Sequence, residues 1–414
     1  MASIRSVVEQ HVEEALSLRI VRRRALRDPR YSMRDLVDLD NRLDANLDGL
    51  LLARDTAWNL CANLLEREGL AGIFTAAIVA FSSGNEEWRR RVIDVGISND
   101  LARGLISALG WLDFQHAEVQ VDRLLTEKAS ELRLIGIAGA AVHRRCPPQV
   151  VLEGISHADP LLKSRALRAA GELAMRDLVP FANRCLDSDE DSVRFSAAWS
   201  CALLDRCPNA ITALRSVTES GSLFQDEALD VALRCTEVTA AKEWQQTLSR
   251  SRGHLRLAVT AAGVIGDSEL MPWLIEQMSQ PVSARIAGEA FTMITGVDLA
   301  FASLQGEKPV GFDPGPDENP EDENVEMDPD DNLPWPDPEL IAKWWGQHHG
   351  EFQRGIRYLL GNPISVDWCQ QILRKGRQRQ RAAAALELAI RQPGQPLFNV
   401  AAPGFRQQKI LGVR

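Results

Sequence analysis

The sequence predicts an all-α fold built as a stack of helix pairs, and three observations predict it. Ala, Leu and Arg dominate a chain of 414 residues that is 45% apolar but only 6% aromatic, and such residues lose little rotamer freedom in a helix. One phrase of small apolar residues recurs at a near-constant interval. Between its copies lies a second, shorter stretch with helical periodicity.

The recurring phrase is a polar lead-in, a charged residue and a run of small apolar residues. It reads LARGLISALG, ELRLIGIAGAAV, LLKSRALRAAGELA, SVRFSAAWSCALL, LFQDEALDVALR, HLRLAVTAAGVIG and VSARIAGEAFTMITG. Its charged positions are Arg103, Arg133, Arg165, Arg194, Glu227, Arg256 and Arg285, separated by 30, 32, 29, 33, 29 and 29 residues. A period near 30 held over six intervals marks a solenoid. Stretches such as ELMPWLIEQMSQ and DLVPFANRCLDSD supply the second helix of each pair, and the Ala/Gly-rich first helix allows close approach between pairs. The pattern resembles HEAT-like repeats, so the expected fold is a HEAT-like α-solenoid, a right-handed superhelix of helix pairs.

Four regions follow. Residues 1–98 form an N-terminal helical region that caps the solenoid, where Leu36, Leu39, Leu43, Leu47 and Leu50 share one helical face and Asp40, Asp44 and Asp48 another, a solvated face or a partner contact. Residues 99–303 hold the repeats. Residues 304–338 form an acidic, Pro-rich flexible segment, because it cannot bury enough apolar surface to offset chain entropy. Residues 339–414 form a C-terminal helical cap with one further repeat-like unit, in which Arg381 takes the repeat position. The repeated Arg133, Arg165, Arg194, Arg256 and Arg285 are expected to form a structural ladder with acids such as Asp159, Asp189 or Asp191, and Asp226, rather than a basic binding stripe.

The net charge is −10, yet Glu307 to Asp337 holds twelve Asp or Glu against one Lys. That segment carries −11 and the remainder is near neutral, which disfavours nonspecific nucleic-acid binding. Seven cysteines without a CxxC pair point to a reducing compartment. The first residues lack an apolar signal region, and no run of eighteen apolar residues occurs, so a cytoplasmic protein with no membrane partner is expected.

No nucleophile elbow, Walker loop, HExxH or dinucleotide fingerprint occurs, so the expectation is no enzyme, no catalytic residues, no cofactor and no metal. His348 and His349 diverge by about 100° on a helix and lack further ligands. His11 and Glu14 lie one turn apart without a third ligand. Asp328, Asp330, Asn332 and Glu339 match calcium-loop offsets 1, 3, 5 and 12, but Leu333 stands where that loop needs Gly. The stretch WWGQHHGEFQRGIRYLLG puts Trp344, His348 and Phe352 on one helical face, as in a helix that re-enters a core. Residues Trp335, Trp345, His349, Arg374 and Arg377 remain as candidate protein-partner contacts, the last two in the basic stretch RKGRQRQR.

Both ends carry a resemblance. VEQHVEEALSLRIVRRRAL with LVDLDNRLDANLDGL, and KWWGQHHGEFQRGIRYLLGNPIS with GRQRQRAAAALELAI, resemble an uncharacterised bacterial family of HEAT-repeat proteins encoded near type VI secretion spike, PAAR-like and effector genes. The resemblance implies a cytosolic adaptor or chaperone that holds an effector or its PAAR-like carrier. An immunity protein that neutralises a cognate toxin is the alternative, and a HEAT-like enzyme acting on nucleic acid is disfavoured by the acidic balance.

Overall fold

The computed structural model describes residues 5–65, 67–98, 100–315 and 328–413. Among these the chain is all-α, with 22 α-helices and one two-stranded ribbon, Tyr358–Leu359 with Asn362–Pro363. It divides into two compact units, Met1–Ala213 with Gln371–Arg414, and Leu214–Gln370.

The first unit opens with α1 (Arg5–Ala25), α2 (Met33–Ala53) and α3 (Asp55–Leu64). Ser32 starts α2 with a capping box closed by Asp35, and Leu36, Leu39, Leu43, Leu47 and Leu50 are all buried. Helix α4 (Gly69–Ser83) is apolar on every side and almost wholly buried, as a helix surrounded by others requires. After α5 (Glu86–Gly96) come α6 (Ala102–Trp111), α7 (Phe114–Thr126), α8 (Ser130–Val142), α9 (Pro148–Ile155), α10 (Pro160–Glu172), α11 (Val179–Asn183) and α12 (Asp191–Asp205). Helices α4, α6, α8, α10 and α12 stack in succession, while α7, α9 and α11 each pack on the next member of that stack. This is the helix-pair repeat read from the sequence. Its close approach depends on small residues: a Cβ on Gly171 of α10 would lie 2.7 Å from the Trp199 ring and 2.6 Å from Ser200 Oγ.

Helix α13 (Pro208–Glu219) runs across the division, and the second unit continues with α14 (Gln225–Cys235), α15 (Val238–Arg250), α16 (Leu255–Ile265), α17 (Met271–Met278), α18 (Pro281–Thr295) and α19 (Pro338–His348). Here α14, α16 and α18 stack, with α15 on α16 and α17 on α18. Helix α20 (Val366–Lys375) crosses the division again, and α21 (Gln378–Arg391) and α22 (Gly404–Leu411) belong to the first unit.

Two expected boundaries differ from the structure. Residues 339–414 are not a single terminal cap. From Gln371 onward they join the first unit, where α21 packs on α12 and α22 on α2. The physical reason is a pair of guanidiniums, buried Arg22 and half-buried Arg144, that take up main-chain carbonyls of this segment: Arg22 donates to Ala401 O and Ala402 O, and Arg144 to Leu397 O. In return, Arg406 of α22 donates to the carbonyls of Gly110, Trp111 and Leu112. The described parts of residues 304–338, 304–315 and 328–338, also depart from a flexible stretch. Leu304 and Leu333 are buried, Gly306 N donates to Trp335 O, and Asp337 N donates to Leu304 O; residues 316–327 of that stretch lie outside the described residues.

Candidate binding surface

Arg256 and Arg285 occupy equivalent places in two consecutive helix pairs of the second unit, on α16 and α18. Neither is preceded by a local acid of the kind found before Arg194. Both find carboxylates in the acidic segment instead. Arg256 Nη1 and Nη2 donate to Asp330 Oδ2 and Oδ1, each at 2.7 Å, the two-pronged geometry that makes guanidinium–carboxylate pairs strong. Arg285 Nη2 lies 2.6 Å from Asp328 Oδ2. Donation to Asp330 holds the Arg256 pKa above its ordinary value against the opposing effect of burial, with Asp226 and Asp328 adding to the field.

The acidic segment is shaped to deliver these carboxylates. Asp330 N donates to Asp328 Oδ1 at 2.9 Å, and Asp331 N to Asp328 O, so the two acids sit on one turn. Leu333 follows as a buried anchor. Trp335 then lies under Arg285, whose guanidinium carbon is 4.5 Å from the ring centroid, and meets Phe312 edge-on at 5.7 Å. Gly288 of α18 makes room for Pro336, which a Cβ there would meet at 3.4 Å. Asp337 then caps α19 through Glu339 N and Leu340 N, and Pro338 takes the first helical position. Asp328 and Asp330, which match calcium-loop offsets in the sequence, pair here with guanidiniums, and Leu333 is buried.

Helix α19 carries the aromatic and histidine cluster. Trp344 stacks on His348 at 4.2 Å and meets Phe291 of α18 edge-on at 5.4 Å. The helix ends at His348 and Phe352 is extended, so the helical register does not carry Phe352 onto that face. Phe352 instead packs with Trp345 and Tyr358 at 5.4 and 5.0 Å. Each histidine is tied to a carbonyl one turn back, His348 Nδ1 to Trp344 O at 2.7 Å and His349 Nδ1 to Gly346 O at 3.1 Å. His349 is exposed and Trp345 half-buried.

The loop that follows is clamped by Arg357, which donates to Arg234 O, Ile265 O and Val264 O. Buried Asp267 accepts from Gly355 N and pairs with Lys242. Burial works against the charge of Lys242, yet Glu269 and Asp267 hold its pKa above the ordinary value.

Arg374 and Arg377 belong to the other unit. Arg374 is exposed with Nε on Leu411 O at 3.3 Å, and Arg377 precedes α21, bridging main chain to Ser32. Of the five sequence-predicted contacts, Trp335, Trp345 and His349 fall within one unit, with Trp335 engaged by Arg285.

Of the repeated arginines, Arg194 pairs with an expected acid, Asp191, while Arg133 and Arg165 take glutamates instead. Arg165 reaches Glu172 seven residues along its own helix, and Arg194 reaches Asp191 three residues back. Arg133 lies 3.7 Å from Glu153 of α9. Asp159 caps α10 and accepts from Ser130 Oγ of the preceding pair. Asp328, Asp330 and Arg357 were not singled out by sequence reading as partners of the helix stack. The available signal was the missing acid ahead of Arg256 and Arg285, beside a segment with a surplus of acids.

Chemically this surface grips carboxylates and aromatic rings. Among the described residues no group of three or more His, Cys, Asp or Glu is placed to hold a metal ion, and no helix is long and apolar enough to cross a membrane. The seven cysteines are free, and burial pushes the Cys61 and Cys201 thiols up to about 12, far from the thiolate that reactivity requires.

Helix pairs stacked in this way, with side chains presented along the stack, define an α-solenoid repeat protein. A family model described as HEAT repeats matches residues 148–231, from the start of α9 into α14. No curated protein and no solved structure matches the chain.

Proposed function

We propose that the chain is a non-enzymatic protein-binding scaffold. One observation carries this reading: Arg256 and Arg285, set 29 residues apart by the repeat, hold two carboxylates of a non-repeat segment. Successive helix pairs thus already serve as a surface that grips a peptide, which is how solenoids bind partners.

The resemblance of both chain ends supports a finer version, a type VI secretion adaptor or chaperone that holds an effector or its PAAR-like carrier. Trp335, Trp345, His349, Arg374 and Arg377 are then partner contacts. Co-purification from a native host tests it: recovery of a secretion component or neighbouring effector is expected, together with lost delivery on deletion. Absence of any such partner, with delivery unchanged, overturns it. The acids of 307–337 favour an immunity protein as the second reading, because a dense carboxylate run matches a basic toxin site. Deletion separates the two, since loss of an immunity protein poisons the cell or its sisters while loss of an adaptor stops delivery.

A further inference from the structure

We propose that the Arg256–Arg285 face of the second unit is a binding site for an acidic turn of a partner protein, and that residues 328–336 occupy it in cis until that partner displaces them. The partner segment has two carboxylates two residues apart, an aliphatic anchor three residues on and an aromatic ring two further. This inference rests on the scaffold reading and names the chemistry of one of its partners.

The receiving side belongs to the repeat. Arg256 and Arg285 are placed by α16 and α18, helices whose mutual packing is made by Gly263 against Ala290 rather than by the acidic segment. The occupying side has no helix or strand of its own from Asp328 to Pro336. It is held by two ion pairs, one buried Leu, one ring under a guanidinium and a short main-chain pairing with residues 305–306, in which Gly306 N donates to Trp335 O. The Arg256 side chain is still 47% exposed, so an incoming carboxylate reaches it without the unit opening.

The fit of the occupant is incomplete. Asp328 Oδ2 lies 2.6 Å from Nη2 of Arg285, while Arg285 Nε is buried without a hydrogen-bond partner. An unpaired buried donor is costly. A Glu in the place of Asp328, one methylene longer, reaches across Nε and Nη2 together as a two-pronged pair. The site is therefore better matched to a Glu-x-Asp segment than to the Asp-x-Asp segment the chain supplies. An occupant that is a weaker ligand than the site can accept, yet is covalently tethered, suits displacement: tethering supplies an effective concentration on the order of mM, which a free peptide must overcome and a partner with further contacts can.

The test uses the full chain and a fluorescently labelled synthetic peptide with the sequence of residues 328–336, DPDDNLPWP, alongside its Glu-first counterpart EPDDNLPWP. Wild type is expected to bind both weakly. Asp328→Asn with Asp330→Asn, which weakens the tethered occupant, is expected to tighten peptide binding at least tenfold, with EPDDNLPWP the tighter of the two. Leu333→Ala, which keeps every charge, is expected to tighten binding in the same direction, and it decides the matter should the double Asn variant lose its helical circular dichroism. Adding Arg256→Gln and Arg285→Gln is expected to abolish the gain. The proposal is overturned if folded Leu333→Ala and Asn variants bind no better than wild type, or if binding survives loss of both arginines. The co-purified partner distinguishes this failure from failure of the scaffold reading: a partner retained by Arg256→Gln/Arg285→Gln with no peptide binding leaves the scaffold standing and removes this site.

Discussion

Arg22 Nε donates to Asp40 Oδ1 at 2.6 Å, and the two side chains keep only 6% and 0% of their surface. The same pair joins three parts of the first unit. Arg22 reaches the carbonyls of Ala401 and Ala402, and Asp40 Oδ2 accepts from Gly404 N at 2.6 Å. An ion pair between α1 and α2 thus also fixes the start of α22, some 360 residues later in the chain.

Asp40→Asn is expected to destabilise the first unit by about 3–5 kcal/mol, because it leaves the Arg22 charge buried without compensation. Urea unfolding gives the size of the loss. Limited proteolysis gives its place: cleavage between α21 and α22 should accelerate before cleavage within α8 or α10. Unchanged stability, or uniform acceleration, contradicts this role.

Two glycines make a matched pair. In Gly171→Ala the new Cβ meets Trp199 and Ser200 at under 3.0 Å, so overpacking of about 1–3 kcal/mol outweighs a helix-propensity gain of up to about 1 kcal/mol. Gly346 lies in α19 with nothing within 4 Å of an added Cβ, so Gly346→Ala keeps the propensity gain and should stabilise by about 0.5–1 kcal/mol. Thermal unfolding of the two variants should move in opposite directions.

These positions show where the sequence was legible. The helix pairs could be read because their small residues recur with the repeat, as Gly171 and Gly263 do, and local periodicity encodes local packing. Leu36 to Leu50 could be read for the same reason. The row Asp40, Asp44 and Asp48 was misleading, since Asp40 is buried on Arg22 and Asp44 accepts from Trp111 Nε1 at 2.9 Å. Those partners lie 18 residues before and 67 residues after in the chain, and helical spacing carries no record of a distant partner. The pairing of Arg256 and Arg285 with Asp330 and Asp328 was hidden likewise: composition marked the segment as acidic and flexible, while its anchoring depends on cations that another stretch supplies.

Acid sensitivity should concentrate at Glu172. Burial works to raise its pKa, but Arg165, Arg168 and Arg144 bring it below the ordinary 4.5. A carboxylate depressed in the folded state contributes stability that is fully present above the unfolded value and is lost as pH falls through the folded one. Glu172→Gln is therefore expected to cost about 1.5–3 kcal/mol near neutral pH, the range for a hydrogen bond to a charged group. The urea midpoint of wild type should drop more steeply than that of the variant between about pH 5 and about pH 3. Parallel pH profiles would show that other carboxylates carry the acid response.

Arg357 offers the sharpest test of how the second unit is held together. Its guanidinium donates to Arg234 O at 2.9 Å, to Val264 O at 3.0 Å and to Ile265 O at 3.2 Å, so it satisfies carbonyls at the ends of both α14 and α16. Helix ends leave their last carbonyls unpaired, and a cation there is also favoured by the helix dipole. A planar fork serves three acceptors on two helices, whereas the single ammonium of Lys holds its donors on one point. Arg357→Lys should therefore lose about 1–2 kcal/mol despite keeping the charge, and Arg357→Ala about 2–4 kcal/mol, since it also strands buried carbonyls. Hydrogen exchange distinguishes the mechanism from general weakening: amides in the last turns of α14 and α16 and in the Tyr358–Leu359 ribbon should lose protection first, while those of α15 keep theirs. Full recovery of stability by Lys would mean that charge alone, rather than the three-way clamp, does the holding.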